Sequence, residues 1–362
     1  METEINVQSP IFSLYILDNK LLVACGGGDE KFGVKNKILL YQLHDGYFGE
    51  KLIEEKFDKI PEYIEGIPLK NIFSFCSLNK IYFYTISKDK KSFQKIYTLN
   101  INQEDISLNC FKISENYLAT GDEKGSLKLF QIEFNNNQIN NIKEIGSNPN
   151  AHLRGINKIA FGFKNNIKFL ITASGDGTCK IFDISNHSTI KSVSFFSFRQ
   201  SLSEKSNYFM RDLIYINEKN LAYTIQSPKK GKGFLTKWDV SNINFVRPIE
   251  TIEISGAPCT SFSLSENKKY LGITDNECRI IFVDAKNMEI TGWDKIGDDM
   301  LRNSQFYGNY LITGSIGSHL RISKLKTGFK WTFFKYIFYL LIFLGVCYYI
   351  YLKKNNLINE DY

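Results

Sequence analysis

A sequence unit that recurs along most of the chain constrains its fold more than any other feature. Each copy contains a short apolar strand, a turn, a second apolar strand ending in small residues, a polar turn and a third, alternating strand. The clearest copy is INKIAFGFKNNIKFLITASGDGTCKIFDIS, residues 156–185. Further copies begin at or near Leu108, Pro258, Asn303, Phe12, Ile72 and Asp212. Seven β-rich copies, each about 40 to 50 residues long, predict a closed ring of sheets in one domain.

The copy at residues 156–185 resembles a WD-repeat blade, which is a sheet of four antiparallel strands. Its turn contains Gly177, and glycine tolerates the positive φ of a tight hairpin. Phe182-Asp183 stand where the family has Trp-Asp, and Trp238-Asp239 match that dipeptide literally. The resemblance predicts an all-β fold, a seven-bladed WD-repeat β-propeller over residues 1–329.

His152 and Asp176 form a candidate structural pair in this copy. His152 lies in the stretch AHLRG, where the family has Gly-His, and Asp176 follows about one blade's length later. We interpret His152 as a structural residue that is hydrogen-bonded to Asp176, without a catalytic role. A ring of blades leaves no long sheet edge and offers its two faces and its rim for docking. The fold therefore favours binding over chemistry.

The C-terminal part of the chain contains a long apolar run. The stretch WTFFKYIFYLLIFLGVCYYIYL, residues 331–352, has a single charge at Lys335. A helix of this length reaches roughly 30 Å, which is the thickness of the hydrocarbon core of a bilayer. We therefore predict a transmembrane helix over residues 330–352 and a short lumenal tail over residues 353–362. The basic residues before the run outnumber those after it, which predicts a cytosolic N-terminal domain.

Composition argues against several other classes of function. The seven cysteines lie far apart and form no CxxC pair, so we expect reduced, buried thiols instead of disulfides or a zinc site. The net charge of +7 is spread thinly, and no basic stripe is interleaved with aromatic residues, so nucleic acid is not an expected partner. We interpret Lys229, Lys230 and Lys232 as part of a solvated loop. A hydrolase is also disfavoured, because no nucleophile and base are found at a suitable spacing.

The first copy departs from the others between its second and third strands. Where other copies have short turns such as GDEKGS or SGDGT, this copy has GGGDEKFGVKN, residues 26–36. Gly28 and Gly33 have the spacing of a phosphate-binding loop, but Val34 replaces the lysine and a strand follows instead of a helix. A dinucleotide-binding fingerprint would need a glycine where Lys31 stands. Direct nucleotide binding by this loop is therefore not expected.

Three successive glycines in this loop require another explanation, because they cost conformational entropy and contribute no packing. Their backbone could adopt conformations that side chains forbid, or another group could approach it closely, or the loop could simply be flexible. Main-chain carbonyls, together with Asp29, Glu30 or Asn36, could also ligate a hard cation through oxygen. The residues alone leave these alternatives open.

The loop resembles the glycine-rich loop of the endoplasmic-reticulum exchange factors that activate the small GTPase of the COPII coat. In animals these are the prolactin regulatory element-binding protein family. The family pattern has four glycines, a short insert and then Lys-x-Gly-(Ile/Val)-Lys-Asn. Cys25 replaces the first glycine here, and the last part is formed by Lys31, Gly33, Val34, Lys35 and Asn36. The resemblance extends to the overall plan of a cytosolic propeller, this loop in the first blade and one C-terminal membrane anchor.

This resemblance implies guanine-nucleotide exchange on the COPII GTPase at the endoplasmic reticulum membrane, which starts vesicle coat assembly for transport to the Golgi. Exchange involves no bond chemistry, so the chain would regulate an enzyme without being one. No cofactor is required, although the loop binds a potassium ion in some members of the family. The implied GTPase-contacting residues are Gly26, Gly27, Gly28, Asp29, Glu30, Lys31, Gly33, Lys35 and Asn36. The alternative is a tail-anchored WD-repeat scaffold that gathers partners without exchange activity.

Overall fold

The computed structural model describes most of the chain in two compact units, Met1–Lys326 and Thr327–Tyr362. The described residues are 3–27, 33–67, 70–87, 89, 91–101, 106–135, 138–164, 167–185, 190–197, 208–327, 339, 341–348 and 351. The first unit consists of antiparallel four-stranded sheets, the blades, and there are seven of them. The predicted all-β, seven-bladed propeller is confirmed.

Twenty-eight strands build the blades, and they are numbered in chain order. After β1 (Glu4–Asn6), blade one contains β2 (Ile11–Leu17), β3 (Lys20–Cys25), β4 (Lys37–His44) and β5 (Tyr47–Lys56). Blade two contains β6 (Tyr63–Ile67), β7 (Ile72–Ser77), β8 (Lys80–Ile86) and β9 (Phe93–Asn100). Blade three contains β10 (Leu108–Ser114), β11 (Tyr117–Asp122), β12 (Leu127–Asn135) and β13 (Gln138–Asn148).

The remaining blades follow the same plan. Blade four contains β14 (Ile156–Lys164), β15 (Ile167–Ser174), β16 (Thr178–Asp183) and β17 (Lys191–Ser197). Blade five contains β18 (Phe209–Ile216), β19 (Leu221–Ser227), β20 (Gly233–Asp239) and β21 (Arg247–Ser255), with a short 3-10 turn at Asn217–Lys219. Blade six contains β22 (Cys259–Leu264), β23 (Tyr270–Asp275), β24 (Arg279–Asp284) and β25 (Ile290–Lys295). Blade seven contains β26 (Leu301–Tyr307), β27 (Tyr310–Ser315) and β28 (His319–Lys324).

The N-terminal strand closes the ring. β1 completes blade seven by pairing with β28, with Ile5 opposite Leu320 and Glu4 opposite Arg321. The Glu4 carboxylate also accepts a hydrogen bond from Arg321 at 2.9 Å and contacts His319 Nδ1 at 2.7 Å. Because β1 covers the free edge of β28, both ends of the propeller sequence hold one sheet together.

The core is distributed over the junctions between blades. Seven apolar clusters are present among the described residues, and each joins the facing strands of two neighbouring blades. At the junction of blades four and five, for example, the ring of Trp238 packs on that of Phe196 at a centroid distance of 4.7 Å. Six cysteines lie buried with free thiols in this unit, as the sequence analysis predicts, whereas Cys347 of the second unit is exposed, contrary to that prediction. Burial raises the pKa of Cys25 and of Cys110 to about 12.

Blade two begins one strand earlier than the sequence analysis predicts. Its first strand is β6, whereas Ile72 begins the second strand, β7. The sequence of β6, YIEGI, contains a buried carboxylate at Glu65 and a glycine at Gly66, so it lacks the apolar run that identifies first strands elsewhere. The predicted start of blade two at Ile72 was therefore wrong, although the predicted number of seven repeats was right.

The second unit contains the residues of the predicted transmembrane segment. Residues 339, 341–348 and 351 are helical. All other residues of the predicted segment 330–352, and all of the predicted tail 353–362, lie outside the described residues. Within the part of the chain that the structure describes, no helix combines the length and the apolar character needed to cross a bilayer.

Two sets of loops share one end of the blades, which we call the loop face. They are the connections between second and third strands and the connections from one blade to the next, since antiparallel strands bring both to the same end. Hydrogen bonds join the two sets, as between the Gly26 amide and the Pro10 carbonyl, which are 3.0 Å apart. The loop of residues 26–36 therefore belongs to the loop face.

Candidate functional site

The loop of residues 26–36 continues the β3–β4 hairpin beyond its last paired residues, Cys25 and Lys37. It is the longest connection between second and third strands in the ring, since the equivalent turns of other blades have between two and five residues, such as 78–79 and 228–232. Cys25, which replaces the first glycine of the family pattern, is the last residue of β3 and is fully buried. The loop therefore begins from a fixed position at the end of a core strand.

Gly26 and Gly27 are required by steric contact between the two arms of the loop. A Cβ atom on Gly26 would lie 2.3 Å from Asn36 Oδ1 and 2.9 Å from Asn36 Cα. A Cβ atom on Gly27 would lie 2.4 Å from the Cβ of Val34. Both distances are well inside van der Waals contact, so side chains would force the arms apart. Of the alternatives left open by the sequence, close approach of another group explains these two glycines, and that group is the returning arm.

Asn36 fixes the returning arm to the connection between blades one and two. Its side chain is buried, and Nδ2 donates to the carbonyl of Asp58 at 3.4 Å. Its own carbonyl accepts the amide of Phe57 at 2.9 Å. The ring of Phe57 in turn makes edge contacts with Phe75 and Tyr84, at centroid distances of 4.9 and 5.6 Å. The stem of the loop is thus held by packing as well as by hydrogen bonds.

An open cleft of about 490 Å³ lies beside the returning arm. It is lined by residues 33–36 of the loop and by residues 56–58 of the following connection. Gly33 and Lys35 are exposed, and Gly33 has a φ of +73° that favours glycine. Gly28, Asp29, Glu30 and Lys31 lie outside the described residues. The described part of the loop therefore presents main chain and one lysine to solvent above a rigid stem.

The donor atoms of the stem suit a hard cation better than a transition metal. Among the described residues, no group of three or more His, Cys, Asp or Glu side chains could hold a metal ion. The amide oxygen of Asn36 lies against Gly26, where the two arms meet. Potassium takes oxygen ligands such as amide and main-chain carbonyls, so Asn36 fits such a shell. Asp29 and Glu30, the other candidate ligands, lie outside the described residues.

The His152 and Asp176 side chains lie together in blade four. Asp176 Oδ2 accepts hydrogen bonds from His152 Nδ1 and from the Leu153 amide, each at 3.0 Å. Oδ1 accepts the amide and the hydroxyl of Thr178 at 2.9 and 2.7 Å. His152 Nε2 lies 2.7 Å from the hydroxyl oxygen of Thr172. This network joins the connection between blades three and four to the β15–β16 turn, and the His152 and Asp176 side chains at its centre are buried or nearly buried.

The network also determines the charge state of Asp176. Burial by itself would raise the pKa of this carboxyl, but hydrogen bonds from His152 and Thr178 outweigh it and hold the pKa well below its usual value of 3.8. Asp176 is therefore a carboxylate at neutral pH and accepts four hydrogen bonds at once. Such an arrangement stabilises a turn and offers no group to a substrate.

Related networks occupy other blades. The indole of Trp238, in the literal Trp-Asp dipeptide, is fully buried and donates to the Thr224 hydroxyl at 2.8 Å. In blade six, Asp275 accepts from Ser255 at 2.7 Å and from Arg279 at 2.8 Å. The sequence analysis missed the Asp275 network, because Asp275 is the last residue of β23 and corresponds in register to Ser174 of blade four, not to Asp176.

Charged residues on the first strands of blades two to five were also missed. Glu65 of β6 pairs with Lys112 of β10 at 2.9 Å, and Lys158 of β14 lies 3.5 Å from Asp212 of β18. These strands are the innermost in their sheets, and acidic and basic residues balance each other around this part of the ring. In the sequence, these residues could have been found as charged positions within the mainly apolar first strands of blades two to five.

The comparisons with known proteins concern the fold. The model of the WD domain, G-beta repeat, matches residues 144–183, which include His152 and Asp176. A comparison with curated protein sequences finds no significant match. The structure is similar to that of Sqt1 from Saccharomyces cerevisiae, with 11% identity, a TM-score of 0.60 and coverage of 90% of this chain and 98% of that chain.

Two further solved structures are similar over most of the chain. The WD40 β-propeller domain of Doa1 has 13% identity and a TM-score of 0.65, and 89% of this chain and 94% of that chain are covered. The computationally designed Ika8 protein has 15% identity and a TM-score of 0.58, with coverage of 88% and 98%. Together with the seven four-stranded sheets, these matches show that the chain folds as a seven-bladed β-propeller in which residues 144–183 match a WD repeat.

Proposed function

We propose that this chain is a guanine-nucleotide exchange factor that activates the small GTPase of the COPII coat at the endoplasmic reticulum membrane. The observation that carries the proposal is the loop of residues 26–36. It is longer than every equivalent turn of the ring, it matches the family pattern at Gly33, Val34, Lys35 and Asn36, and its stem is held rigidly beside an open cleft. A turn that only joined two strands could be as short as the turns of two to five residues in the other blades.

An exchange factor acts by preferring the nucleotide-free state of its GTPase. If it binds that state more tightly than the loaded state, linkage requires that it weaken nucleotide binding by the same factor. Each tenfold weakening corresponds to about 1.4 kcal/mol of differential binding. Release is accelerated in this way without any covalent step in the propeller.

The described residues support particular roles in this mechanism. Asn36 anchors the returning arm through its hydrogen bond to the Asp58 carbonyl, so the loop keeps its shape when a partner arrives. Gly33 leaves main chain exposed for close approach to the switch segments of the GTPase. Lys35 is exposed at the cleft and would contact acidic groups of the GTPase. A bound potassium ion, held by Asn36 Oδ1 and main-chain carbonyls, would further restrict the loop.

The membrane anchor is the second part of the proposal. The apolar run at residues 331–352 would hold the propeller at the endoplasmic reticulum membrane, with its N-terminal unit in the cytosol. Anchoring would confine GTPase activation, and hence coat assembly, to one membrane. Fluorescence localisation of the full chain, combined with carbonate extraction of membranes, tests this part; recovery of the chain in the soluble fraction would contradict it.

The exchange assay measures release of mant-GDP from the purified GTPase in the presence of the full chain in liposomes. In the test variant, residues 28–33 are replaced by Asn-Gly, which closes a two-residue hairpin between Gly27 and Val34 and leaves the stem contacts in place. We expect acceleration by the native chain and near-complete loss in the variant. A second variant, Lys35→Glu, should weaken acceleration, while Lys124→Glu, an exposed lysine on the loop face of blade three, serves as its matched control.

The outcomes separate the proposal from its alternative. Equal acceleration by the native chain and the loop variant would remove the loop from the mechanism. Binding of the GTPase without accelerated release would instead support a tail-anchored WD-repeat scaffold. Thermal unfolding of each variant shows whether a lost activity reflects a lost fold.

A further inference from the structure

A basic pocket lies on the loop face between blades four and five, on the other side of the ring from the loop of blade one. Its volume is about 440 Å³, and it is lined by Arg154, Phe209, Pro228, Lys229 and Lys230. Arg154 precedes β14, Phe209 begins β18, and the other residues form the β19–β20 turn. The fold thus brings three segments that are distant in sequence into one site.

The positive charges of this site have no acidic partner among the residues that the structure describes. The ring of Phe209 lies 5.7 Å from the guanidinium carbon of Arg154 and 5.1 Å from that of Arg211. Arg211 is partly buried and donates to the Ser227 hydroxyl and the Pro228 carbonyl, at 3.3 and 3.4 Å. Among the described residues, no carboxylate forms an ion pair with Arg154, Arg211, Lys229 or Lys230. Four like charges held together repel one another, and an anionic ligand would relieve this repulsion.

An exposed leucine directly precedes Arg154, one of the pocket residues, in the chain. Leu153, the neighbour of Arg154, has 91% of its surface exposed. Its position is nevertheless fixed, because its amide donates to Asp176 at 3.0 Å and the adjacent His152 is buried in the same network. An apolar side chain on a rigid turn loses little entropy on binding. Arginine and aromatic residues around such an anchor are typical of protein-binding hot spots.

We infer that the basic pocket and Leu153 form a docking site for an acidic segment of a partner protein that carries an apolar side chain. Charge complementarity selects the acidic segment, and contact with Leu153 selects the apolar residue. Single-stranded nucleic acid fits less well, because base stacking requires a series of free aromatic faces. Phe209 is the one aromatic ring among the described residues that line the pocket, and it already contacts two guanidinium groups. The site is independent of the exchange activity proposed for blade one.

The test uses the full chain in neutral detergent and a fluorescein-labelled peptide of Asp and Glu residues with one central Leu. Fluorescence anisotropy gives the affinity. The double variant Lys229→Glu/Lys230→Glu should weaken binding about tenfold or more, and Leu153→Ser should weaken it about threefold or more. All three side chains are exposed, so these changes leave the core intact. The control Lys80→Glu/Lys143→Glu makes the same change in net charge on exposed residues of blades two and three and should leave the affinity within about twofold.

Several results would overturn the inference. Equal losses in the Lys229/Lys230 variant and the control would show only a general charge effect, and unchanged affinity in either test variant would remove that residue set from the site. A basic peptide with the same Leu must bind more weakly than the acidic one. Binding of phosphatidylserine vesicles without binding of the peptide would identify a lipid surface instead. Displacement of the peptide by inorganic phosphate at equal concentration would identify a simple phosphate site.

Discussion

Replacement of Asp176 by Asn tests whether the hydrogen-bond network of blade four stabilises the ring. The carboxylate accepts two hydrogen bonds on each oxygen, from His152 and Leu153 on one and from Thr178 on the other. An amide has only one acceptor oxygen, so its NH₂ group must face two of these donors. Asn therefore fits the space but loses half of the acceptors.

The expected loss in free energy of unfolding follows from the hydrogen-bond donors that Asp176→Asn leaves without an acceptor. A hydrogen bond to a charged group contributes about 1.5–3 kcal/mol, and a buried unpaired N–H costs about 1–3 kcal/mol. The lost hydrogen bonds and the unpaired N–H groups are partly the same effect, so their costs are not added in full. We expect Asp176→Asn to lower the free energy of unfolding by about 2–4 kcal/mol. His152→Ala should cost a similar amount, about 2–4 kcal/mol, since it removes the same bond and leaves a cavity in a buried site.

The assay is urea unfolding of the full chain in detergent, followed by tryptophan fluorescence. If the two side chains act together, the double variant should be less destabilised than the sum of the single variants, by about 1–2 kcal/mol. The matched control is Asp183→Asn in the same blade. Asp183 accepts one amide hydrogen bond, from Ser185 at 2.8 Å, which the oxygen of Asn can also accept, so this change should cost less than about 0.5 kcal/mol.

The pH dependence provides a second readout of the same network. The pKa of Asp176 is lowered in the folded state, so its contribution to stability is fully present above the unfolded value of 3.8 and is lost as pH falls towards the folded value. The stability difference between the native chain and Asp176→Asn should shrink as pH falls below about 4. Additive single costs, or a difference that grows in acid, would refute the reasoning.

Three further predictions concern other parts of the ring. Gly27→Ala should displace the returning arm and reduce acceleration of nucleotide release, and adding Val34→Gly should restore much of it, because the clash is with the Val34 Cβ. Glu65→Gln should lower the free energy of unfolding in urea by about 1–3 kcal/mol, since it leaves Lys112 without its buried partner. Removal of β1 should lower the thermal unfolding midpoint by several degrees and increase aggregation as measured by light scattering, because it uncovers the edge of β28. An unchanged midpoint would contradict the role of β1 in closing the ring.

Much of the fold was predictable from the sequence because each blade repeats one pattern. Apolar second strands such as β3 and β27 are almost entirely buried, so they form continuous apolar runs that are visible in the sequence. β1 could not be found in this way, because its three residues, Glu-Ile-Asn, form no such run and become a strand only by pairing with β28. β6 escaped detection for a related reason, since Glu65 has a partner in the next blade that only the ring provides.

The candidate site was predictable in position but not in its contacts. The long loop was visible as a polar, glycine-rich insertion between two apolar strands, and its bounds of 26 and 36 agree with the ends of β3 and β4. The contact of Gly26 with Asn36 depends on the register of the hairpin, which the sequence does not specify. The sequence predicts only a solvated loop at Lys229, Lys230 and Lys232 and does not reveal the basic pocket, because these lysines lie far in sequence from Arg154 and Phe209.

The glycines of blade one show how structural and functional requirements can be separated within one loop. Gly26 and Gly27 are explained by the returning arm alone, since Asn36 and Val34 occupy the space of their side chains. They would be needed in a loop that binds nothing. Gly33 is exposed, and a Cβ atom added to it would meet no described atom within 4 Å, so packing does not require glycine there; only its φ of +73° favours glycine. The case for a partner therefore depends on the exposed arm around Gly33 and Lys35, and the rigid stem matters because it holds that arm in one place.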